Sequence, residues 1–493
     1  CFDSNYLHNK ASKRFGDDFL KTVDDGDIDD NHAYYNWYDY SVFRFFNGEF
    51  QKQFKTPGRP LISQEMSTGY PNAETGHPTR SYQLIHQNPY SLIGYEAYDW
   101  ADPKGFLNTQ SFITGELAET LRRTNEQASG IMHFAYMTWF RQCYDYRHIQ
   151  PYPTYCAMQP VLVSAELWGR NLYAGEKLHT RIYVVNDNEE GRDLKPMSLI
   201  WSIVDETDKV LASGTEQFPA VEYYGRKYIE PNIHMPSNLP ADKVNAKLKL
   251  TLTENGVTLS KNEYGLLLAR KEWNIGQVAE NKKILLLDKD NMKATLDFLN
   301  IACQTVPSIK ELLNSKQKAN LCILSGLKEC TDEEAKLLRE YQPKGGRLLL
   351  LNSKEAAQKI YPEYITGWII PTEGDIVVME HDDASVFDGI GVLELRYFNN
   401  NKREIPLACT ATLKAVRHEN VKELAAQMKI HAYIDGGKPE ERIARIESMR
   451  GLTLLQIADN KGKSLVSTLC TEKATTDPIA GKLLANMVNE LLK

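Results

Sequence analysis

Three uninterrupted apolar runs constrain this chain more than any other feature. They are Lys283 to Asp288, Asn320 to Gly326 and Arg347 to Asn352. A strand with one wet face alternates apolar and polar residues, and these do not, so both of their faces must be buried. Parallel strands with helices packed on either side meet that demand. A helical pattern from Thr331 to Tyr341 lies between two of the runs, and Lys461-Gly462-Lys463 leads into a further strand. Asp477-Pro478 caps a last helix, 478–492, with apolar residues at Ile479, Leu483, Leu484, Met487, Val488 and Leu491. Residues 276–493 are therefore expected to form a three-layer α/β unit.

The texture upstream is different. Between 156 and 275, short β-branched strands are separated by turn clusters: Pro160 to Trp168, Leu178 to Asn186, Ser198 to Asp205, Lys247 to Thr253 and Tyr264 to Trp273. Their spacing and alternation predict an immunoglobulin-like β-sandwich. Residues 1–155 are rich in aromatics and read as β/α units. A helical stretch, Ser41 to Phe54, ends at Pro57-Gly58, and the strand Arg59 to Glu65 follows. A polar loop, a helical pattern from Phe112 to Asn125 and the apolar run Gly130 to Trp139 complete the segment. Three units agree with a length of 493 residues.

Composition removes several classes of partner. The 58 Lys and Arg against 65 Asp and Glu give a net charge of −7, and there is no basic block of the kind that neutralises phosphates, so nucleic acid is not expected. No stretch approaches the ~20 apolar residues that span a bilayer. The 8 cysteines lack CxxC spacing and read as small core residues, Cys143 and Cys156 being close enough in sequence to pair in an oxidising compartment. Cys1 would suit a lipid anchor, but the residues after it alternate like a strand, so the chain is expected to open inside a domain. Asp24, Asp25, Asp27, Asp29 and Asp30 resemble a calcium loop in outline, without the twelfth-position Glu of an EF-hand. The histidines form no metal-binding pair on a plausible helix. No metal and no cofactor is expected.

Glu65 is the first candidate for chemistry. It ends a short apolar strand and is followed by a loop carrying Ser67, Thr68 and Asn72. In β/α barrels, reacting groups sit at the C-terminal ends of strands, although a Glu in such a place also serves as a solvated turn residue. The preceding unit carries Asn31, His32, Tyr34, Tyr35 and Trp37, and the following run ends at Trp139. Sugar rings stack their apolar faces on aromatic side chains, and their hydroxyls call for carboxylates and amides, so this company suits a glycoside site. The aromatics from Tyr34 to Tyr38 serve equally as a packing patch between strand and helix.

The run Arg59-Pro60-Leu61-Ile62-Ser63-Gln64-Glu65-Met66-Ser67, the run Tyr34-Tyr35-Asn36-Trp37-Tyr38 and the strand Ala128-Ser129-Gly130-Ile131-Met132-His133-Phe134 leading to Trp139 resemble the last strands of the catalytic barrel in family 2 glycoside hydrolases. That family includes β-galactosidases, β-glucuronidases and β-mannosidases. The order and spacing match over most of residues 1–150, including the helix with Leu121-Arg122-Arg123. The resemblance implies the C-terminal half of a (β/α)8 TIM barrel and a retaining mechanism in which Glu65 matches the nucleophile. It also implies that Tyr34 or Tyr35 matches the tyrosine near the nucleophile, with Asn31 and His32 at the adjoining loop and Trp139 as the sugar platform. The family's acid/base Glu belongs on an earlier strand, which the resemblance puts upstream of residue 1. Glu74, Glu96, Asp99 and Asp102 lie on the loop after the nucleophile strand and read as loop charges or substrate contacts. Two carboxyl groups about 5–5.5 Å apart are what a retaining mechanism needs.

The last unit looks like a flavodoxin-like or class I glutamine-amidotransferase-like domain. It has no Cys at a strand-to-helix elbow and no phosphate-cradling Gly loop, because Gly345-Gly346 precedes a strand, so it is expected to be non-catalytic. The family resemblance implies a β-linked oligosaccharide or polysaccharide-derived substrate, a periplasmic or secreted setting, and homo-oligomer contacts through the C-terminal domain. Two rival readings stand beside it: a carbohydrate-binding or scaffold protein that keeps a barrel remnant without catalysis, and a small-molecule or nucleotide binder in the last unit.

Overall fold

The structure is a computed structural model. It describes residues 156–275, 282–315, 319–371, 373–428, 450–459 and 462–493 continuously. Before residue 156 it describes 16, 18, 27–33, 41–46, 60–66, 90–98, 102, 104–124 and 128–133. Cys1, Cys143 and Asp24 to Asp25 of the acidic run lie outside the described residues, and so does a Cys143–Cys156 pairing.

The first unit is built on three parallel strands in the order β1 (Asp29–Ala33), β2 (Leu61–Met66), β3 (Ala128–His133). Helix α1 (Lys104–Thr124) runs between β2 and β3 and packs on both. It starts earlier than the periodicity from Phe112 suggests, because the turn before Phe112, Asn108-Thr109-Gln110-Ser111, is polar. Ile113, Leu117 and Leu121 repeat every four residues and are fully buried against Val42, Phe43 and Phe46. Ser41 holds the short 3-10 turn Val42–Phe45 by accepting from the Phe43 amide at 3.2 Å. The expected helix over Ser41 to Phe54 is this turn where it is described.

The second unit has two sheets. One runs β5-β11-β10-β7-β8 and the other β4-β6-β9. The strands are β4 (Val161–Leu167), β5 (Asn171–Tyr173), β6 (Thr180–Asn186), β7 (Met197–Asp205), β8 (Val210–Phe218), β9 (Arg226–Ile229), β10 (Lys243–Glu254) and β11 (Val257–Ala269). Strand β10 buries Val244, Ala246, Leu248, Leu250 and Leu252 and turns the residues between them outward, the alternation of a half-buried strand. Strand β4 is buried along its whole length, because α1 covers its outer face. Ser164 faces the helix, while Val163 and Ala165 belong to the sandwich core.

The third unit contains a ten-stranded sheet. Its strands are β12 (Ile284–Asp288), β13 (Gln304–Thr305), β14 (Leu321–Ser325), β15 (Arg347–Leu351), β16 (Ile365–Ile369), β17 (Val378–Met379), β18 (Thr412–Ala415), β19 (Val421–Met428), β20 (Arg450–Asp459) and β21 (Gly462–Ser467). The parallel part runs β13-β12-β14-β15-β21. In chain order these five strands take the pattern 2-1-3-4-5, one of the common doubly wound orders. An antiparallel extension through β20, β18 and β16 widens the sheet.

The apolar runs divide residue by residue between two cores. Ile284, Leu286, Ile323, Leu349 and Leu351 face one of them, with α2 (Met292–Phe298) and α6 (Pro478–Leu492). Leu285, Leu287, Cys322, Leu324, Leu348 and Leu350 face the other, with α3 (Ile309–Ser315), α4 (Asp332–Tyr341) and α5 (Lys354–Ile360). Thr331 and Glu334 form a reciprocal capping box at the start of α4. Cys156, Cys322, Cys330, Cys409 and Cys470 are buried, as small core residues should be.

Helix α6 is anchored at both ends. Asp477 accepts from the Ile479 and Ala480 amides at 2.8 and 3.0 Å. Near its C-terminus, Glu490 accepts from Lys463 at 2.6 Å, from Lys493 at 3.0 Å and from the Ser385 hydroxyl. Burial alone would raise the Glu490 pKa, but these three donors hold it down to about 2. A depressed carboxylate stabilises the fold above its unfolded pKa, and that contribution is lost as pH falls from about 4.5 towards 2. Glu490→Gln is expected to cost about 1–3 kcal/mol at pH 7. In urea titrations across pH 7 to 3 its deficit should shrink with acidification; a deficit independent of pH would contradict the assignment.

Candidate active site

The three parallel strands bring the sequence candidates to one edge. Asn31 pairs in register with Ser63, His32 with Glu65, and Ala33 with Met66. On the other side, Ser63 pairs with Ile131 and Met66 with His133. Glu65 and His32 are each the penultimate residue of their strands, so both stand at the C-terminal edge. Among the described residues, Glu65 is the one carboxylate on the C-terminal halves of β1, β2 and β3.

The registers also show an irregularity in β2. Moving from Ser63 to Glu65 advances β1 by a single residue, from Asn31 to His32. Moving from Ser63 to Met66 advances β3 by two, from Ile131 to His133. Both neighbours therefore see one extra residue in β2 just before or at Glu65. Such a bulge breaks the strict inward-outward alternation and re-aims the residues beyond it, and bulges are frequent beside reacting groups.

Tyr34, Tyr35, Trp37 and Trp139 lie outside the described residues, as do Glu74 and Asp99. Glu96 is in the 3-10 turn Gly94–Tyr98. Asp102 is exposed and accepts from the Lys104 amide at 3.0 Å, which accounts for it as a cap of α1. His133 gives no signal in the sequence: the apolar run predicts a strand continuing to Trp139, and only the pairing with Met66 brings His133 to the edge beside Glu65.

The edge is braced from behind by a polar network at the end of α1. Glu119 accepts from Ser164 Oγ at 2.5 Å, Tyr264 OH at 2.6 Å and Asn262 Nδ2 at 2.9 Å, with Arg123 at 3.5 Å. Burial and the nearby Glu116 raise its pKa, against Arg123 and the two hydroxyl donors. Arg123 also donates to Ser164 Oγ at 2.6 Å and Thr120 Oγ1 at 3.0 Å. Arg122 donates to the carbonyls of Ala157 and Gln159 at 2.8 and 2.6 Å and to Asp187 at 2.8 Å. The helix between β2 and β3 is thus fixed to the sandwich by both arginines.

The α/β unit offers little to the rival chemistries. A strand-to-helix elbow does exist after β15: Asn352 has φ 47°, the left-handed conformation, and α5 begins two residues later. The residue on it is an amide, with Nδ2 donating to Glu472 at 3.2 Å and Oδ1 accepting from Thr410 at 3.3 Å. Cys322 is buried inside β14. At the switch point between β12 and β14, the Asp288 carboxylate accepts from the Met292 and Lys293 amides at 3.0 and 2.8 Å. Those are the amides a phosphate would need, and Asp290 beside them adds a second carboxylate. Among the described residues, no group of three or more His, Cys, Asp or Glu is placed to hold a metal.

No protein-family model matches the chain, and no curated protein matches it. Among solved structures it is similar to a ThuA-like protein from Bacteroides uniformis, at 11% identity and TM-score 0.30, over 44% of this chain and 94% of that one. It is also similar to the exo-chitosanase CsxA of Amycolatopsis orientalis, at 14% identity and TM-score 0.30, over 46% of this chain and 30% of that one. A third is the β-D-mannosidase from Dictyoglomus thermophilum, at 13% identity and TM-score 0.33, over 52% of this chain and 34% of that one. The chain spans about a third of the length of these two glycosidases. Similarity of this depth transfers no residue role.

Proposed function

We propose that the chain is the C-terminal portion of a retaining exo-β-glycosidase of the family 2 type, with Glu65 as its nucleophile. The observation that carries this reading is Glu65 at the C-terminal edge of a parallel strand, opposite His32 and at or just beyond a bulge seen from both neighbouring strands. On this reading β1 to β3 belong to a (β/α)8 barrel, the two-sheet unit is immunoglobulin-like, and the 2-1-3-4-5 sheet is a flavodoxin-like, non-catalytic domain that serves oligomer contacts. The substrate is a β-linked oligosaccharide met in a periplasmic or secreted setting.

The chemistry runs in two steps. The Glu65 carboxylate attacks the anomeric carbon as the glycosidic C–O bond breaks, and an acid on an upstream strand gives its proton to the leaving oxygen. Water, deprotonated by that same group, then displaces Glu65 from the covalent glycosyl ester. Asn31 and His32 are assigned to hydroxyls of the bound sugar, and Tyr34, Tyr35, Trp37 and Trp139 to its rim and apolar face.

Trapping tests the reading. The full natural polypeptide is incubated with 2-deoxy-2-fluoro β-glycosides carrying a good leaving group, and its peptides are mapped by mass. A glycosyl adduct on the Glu65 peptide is expected. Turnover with the adduct on another residue would overturn the assignment, and sugar binding without adduct or turnover would favour the non-catalytic rival.

A further inference from the structure

A cavity of about 540 Å³ lies where all three units meet. Asn108 and Phe112 reach it from α1, Arg170 and Asn171 from the start of β5, and Arg396 and Tyr397 from the segment between β17 and β18. Its described lining residues come from α1, the β-sandwich and the segment before β18.

Arg396 is the cation in its wall without a matching carboxylate. Its Nη2 donates to the Leu92 carbonyl at 2.7 Å, and its Nε is buried without a partner. Among the described residues no ion pair includes it, whereas Glu394 in the same wall is already held by Lys243 at 2.9 Å and Lys247 by Glu263 at 3.0 Å. Burial lowers its pKa from the ordinary guanidinium value, against the smaller opposing influence of Tyr397, Glu96 and Asp375. A half-buried guanidinium left without a carboxylate is costly, so a fold that keeps one has a use for it.

Its neighbours add donors. Arg170 is stacked 4.9 Å from the Phe112 ring centroid and 5.7 Å from that of Tyr264, and it pairs with Glu116 through Nη2. Among the described residues, Nη1 of Arg170 and Nη1 of Arg396 take part in no hydrogen bond. Tyr397 is buried, packs on Phe43 and Phe112, and its hydroxyl has no hydrogen-bond partner. Its φ of 57° is the left-handed conformation, an outlier for an aromatic residue that persists only where the surroundings impose it. The unpaired carboxylate oxygens nearby, Glu116 Oε2 and Asp375 Oδ2, belong to residues that do not line the cavity. Besides Glu394, Glu206 is the other carboxylate among the described lining residues, and it accepts from Asn245 Nδ2 at 2.8 Å; Arg170, Arg396 and Tyr397 supply donors and positive charge, beside amides and one aromatic face.

We propose that this cavity binds a small polar ligand through a carboxylate or phosphate group, seated between Arg170 and Arg396 near Tyr397, with the remainder of the ligand against Asn108, Asn171 and Phe112. Guanidinium groups hold planar oxyanions by charge-assisted hydrogen bonds, which are stronger than neutral ones. Because the ligand would touch all three units, its binding braces their junction. The inference is independent of Glu65.

Thermal melts of the full chain test it. The probes are inorganic phosphate and sodium gluconate, with sodium chloride at equal ionic strength and sorbitol as controls. Phosphate or gluconate, at about ten times its Kd, is expected to raise Tm by roughly 1–3 °C. A response to phosphate alone identifies a phosphate ligand, and one to gluconate alone a carboxylate. Arg396→Gln should weaken binding at least about tenfold while moving the Tm of the unliganded protein by less than about 2 °C, since the lost hydrogen bond to Leu92 is offset by removal of an unmatched cation. Tyr397→Phe deletes only an unpartnered hydroxyl, keeps the fold, and should weaken binding by about 3–10-fold. The proposal is overturned if neither anion exceeds chloride, or if both variants respond like the parent protein. It is equally overturned if Arg396→Gln lowers the unliganded Tm while leaving Kd unchanged, the result of a purely structural arginine.

Discussion

Glu65→Gln, made in the full natural polypeptide, is expected to lower kcat/KM by about 10⁴-fold or more. The carboxamide fills the same space but cannot attack an anomeric carbon. The Tm should move by less than about 2 °C, because β2 is held by backbone pairing to β1 and β3, which this change does not touch. Glu65→Ala adds a sharper readout. If Glu65 is the nucleophile as proposed, external azide enters the space its side chain leaves, and the product is then a glycosyl azide of inverted anomeric configuration. Such a product is not expected from a residue that merely positions the substrate. A Glu65→Gln protein that keeps more than about a tenth of its activity would rule out the covalent role.

Glu119→Ala is expected to be the most damaging substitution for stability, at about 3–5 kcal/mol. It strips Arg123 of its buried carboxylate and leaves the Ser164 and Tyr264 hydroxyls without their acceptor, while Asn262 keeps the Val163 carbonyl. All of these groups are buried, so water cannot replace what is lost. Glu119→Gln keeps one acceptor oxygen and should cost less than half as much. The double variant with Arg123→Met should cost less than the two single changes added together, because each single change leaves the other group unpaired. Denaturant midpoints provide the comparison. A Glu119→Ala cost below about 1 kcal/mol would show that the helix is held to the sandwich by apolar packing instead. Hydrogen exchange in α1 and β3 should accelerate together in Glu119→Ala, since the helix between the site strands is what loosens.

Local pattern makes much of the architecture legible. The runs at 284–288, 321–325 and 347–351 could only be strands buried on both faces, and successive residues of each do enter different cores. Thr331 with Glu334, and Asp477 with Pro478, announce their helices because a cap is a contact between near neighbours in sequence. Strand β8 is not visible in the same way. It is a sheet edge whose one deeply buried residue is Phe218, so it has almost no apolar face to read. Strands β16 to β20 escape sequence reasoning for a related reason: they extend the parallel sheet in antiparallel fashion, and nothing in a single strand's composition says which neighbour it will take.

The candidate sites divide along the same line. Glu65 is conspicuous in sequence because it comes after an apolar strand and precedes a polar loop. The bulge before it, and the approach of His133, depend on the registers of strands that are distant in the chain. Arg396 and Tyr397 give no signal at all, since they sit in an irregular segment and meet Leu92 and Phe112, each far away in the chain. Periodicity and capping are written in sequence because they report contacts along the chain and the choice between water and core. Register, uncompensated charge and backbone strain arise only when distant segments are packed together, and the tertiary structure alone decided them.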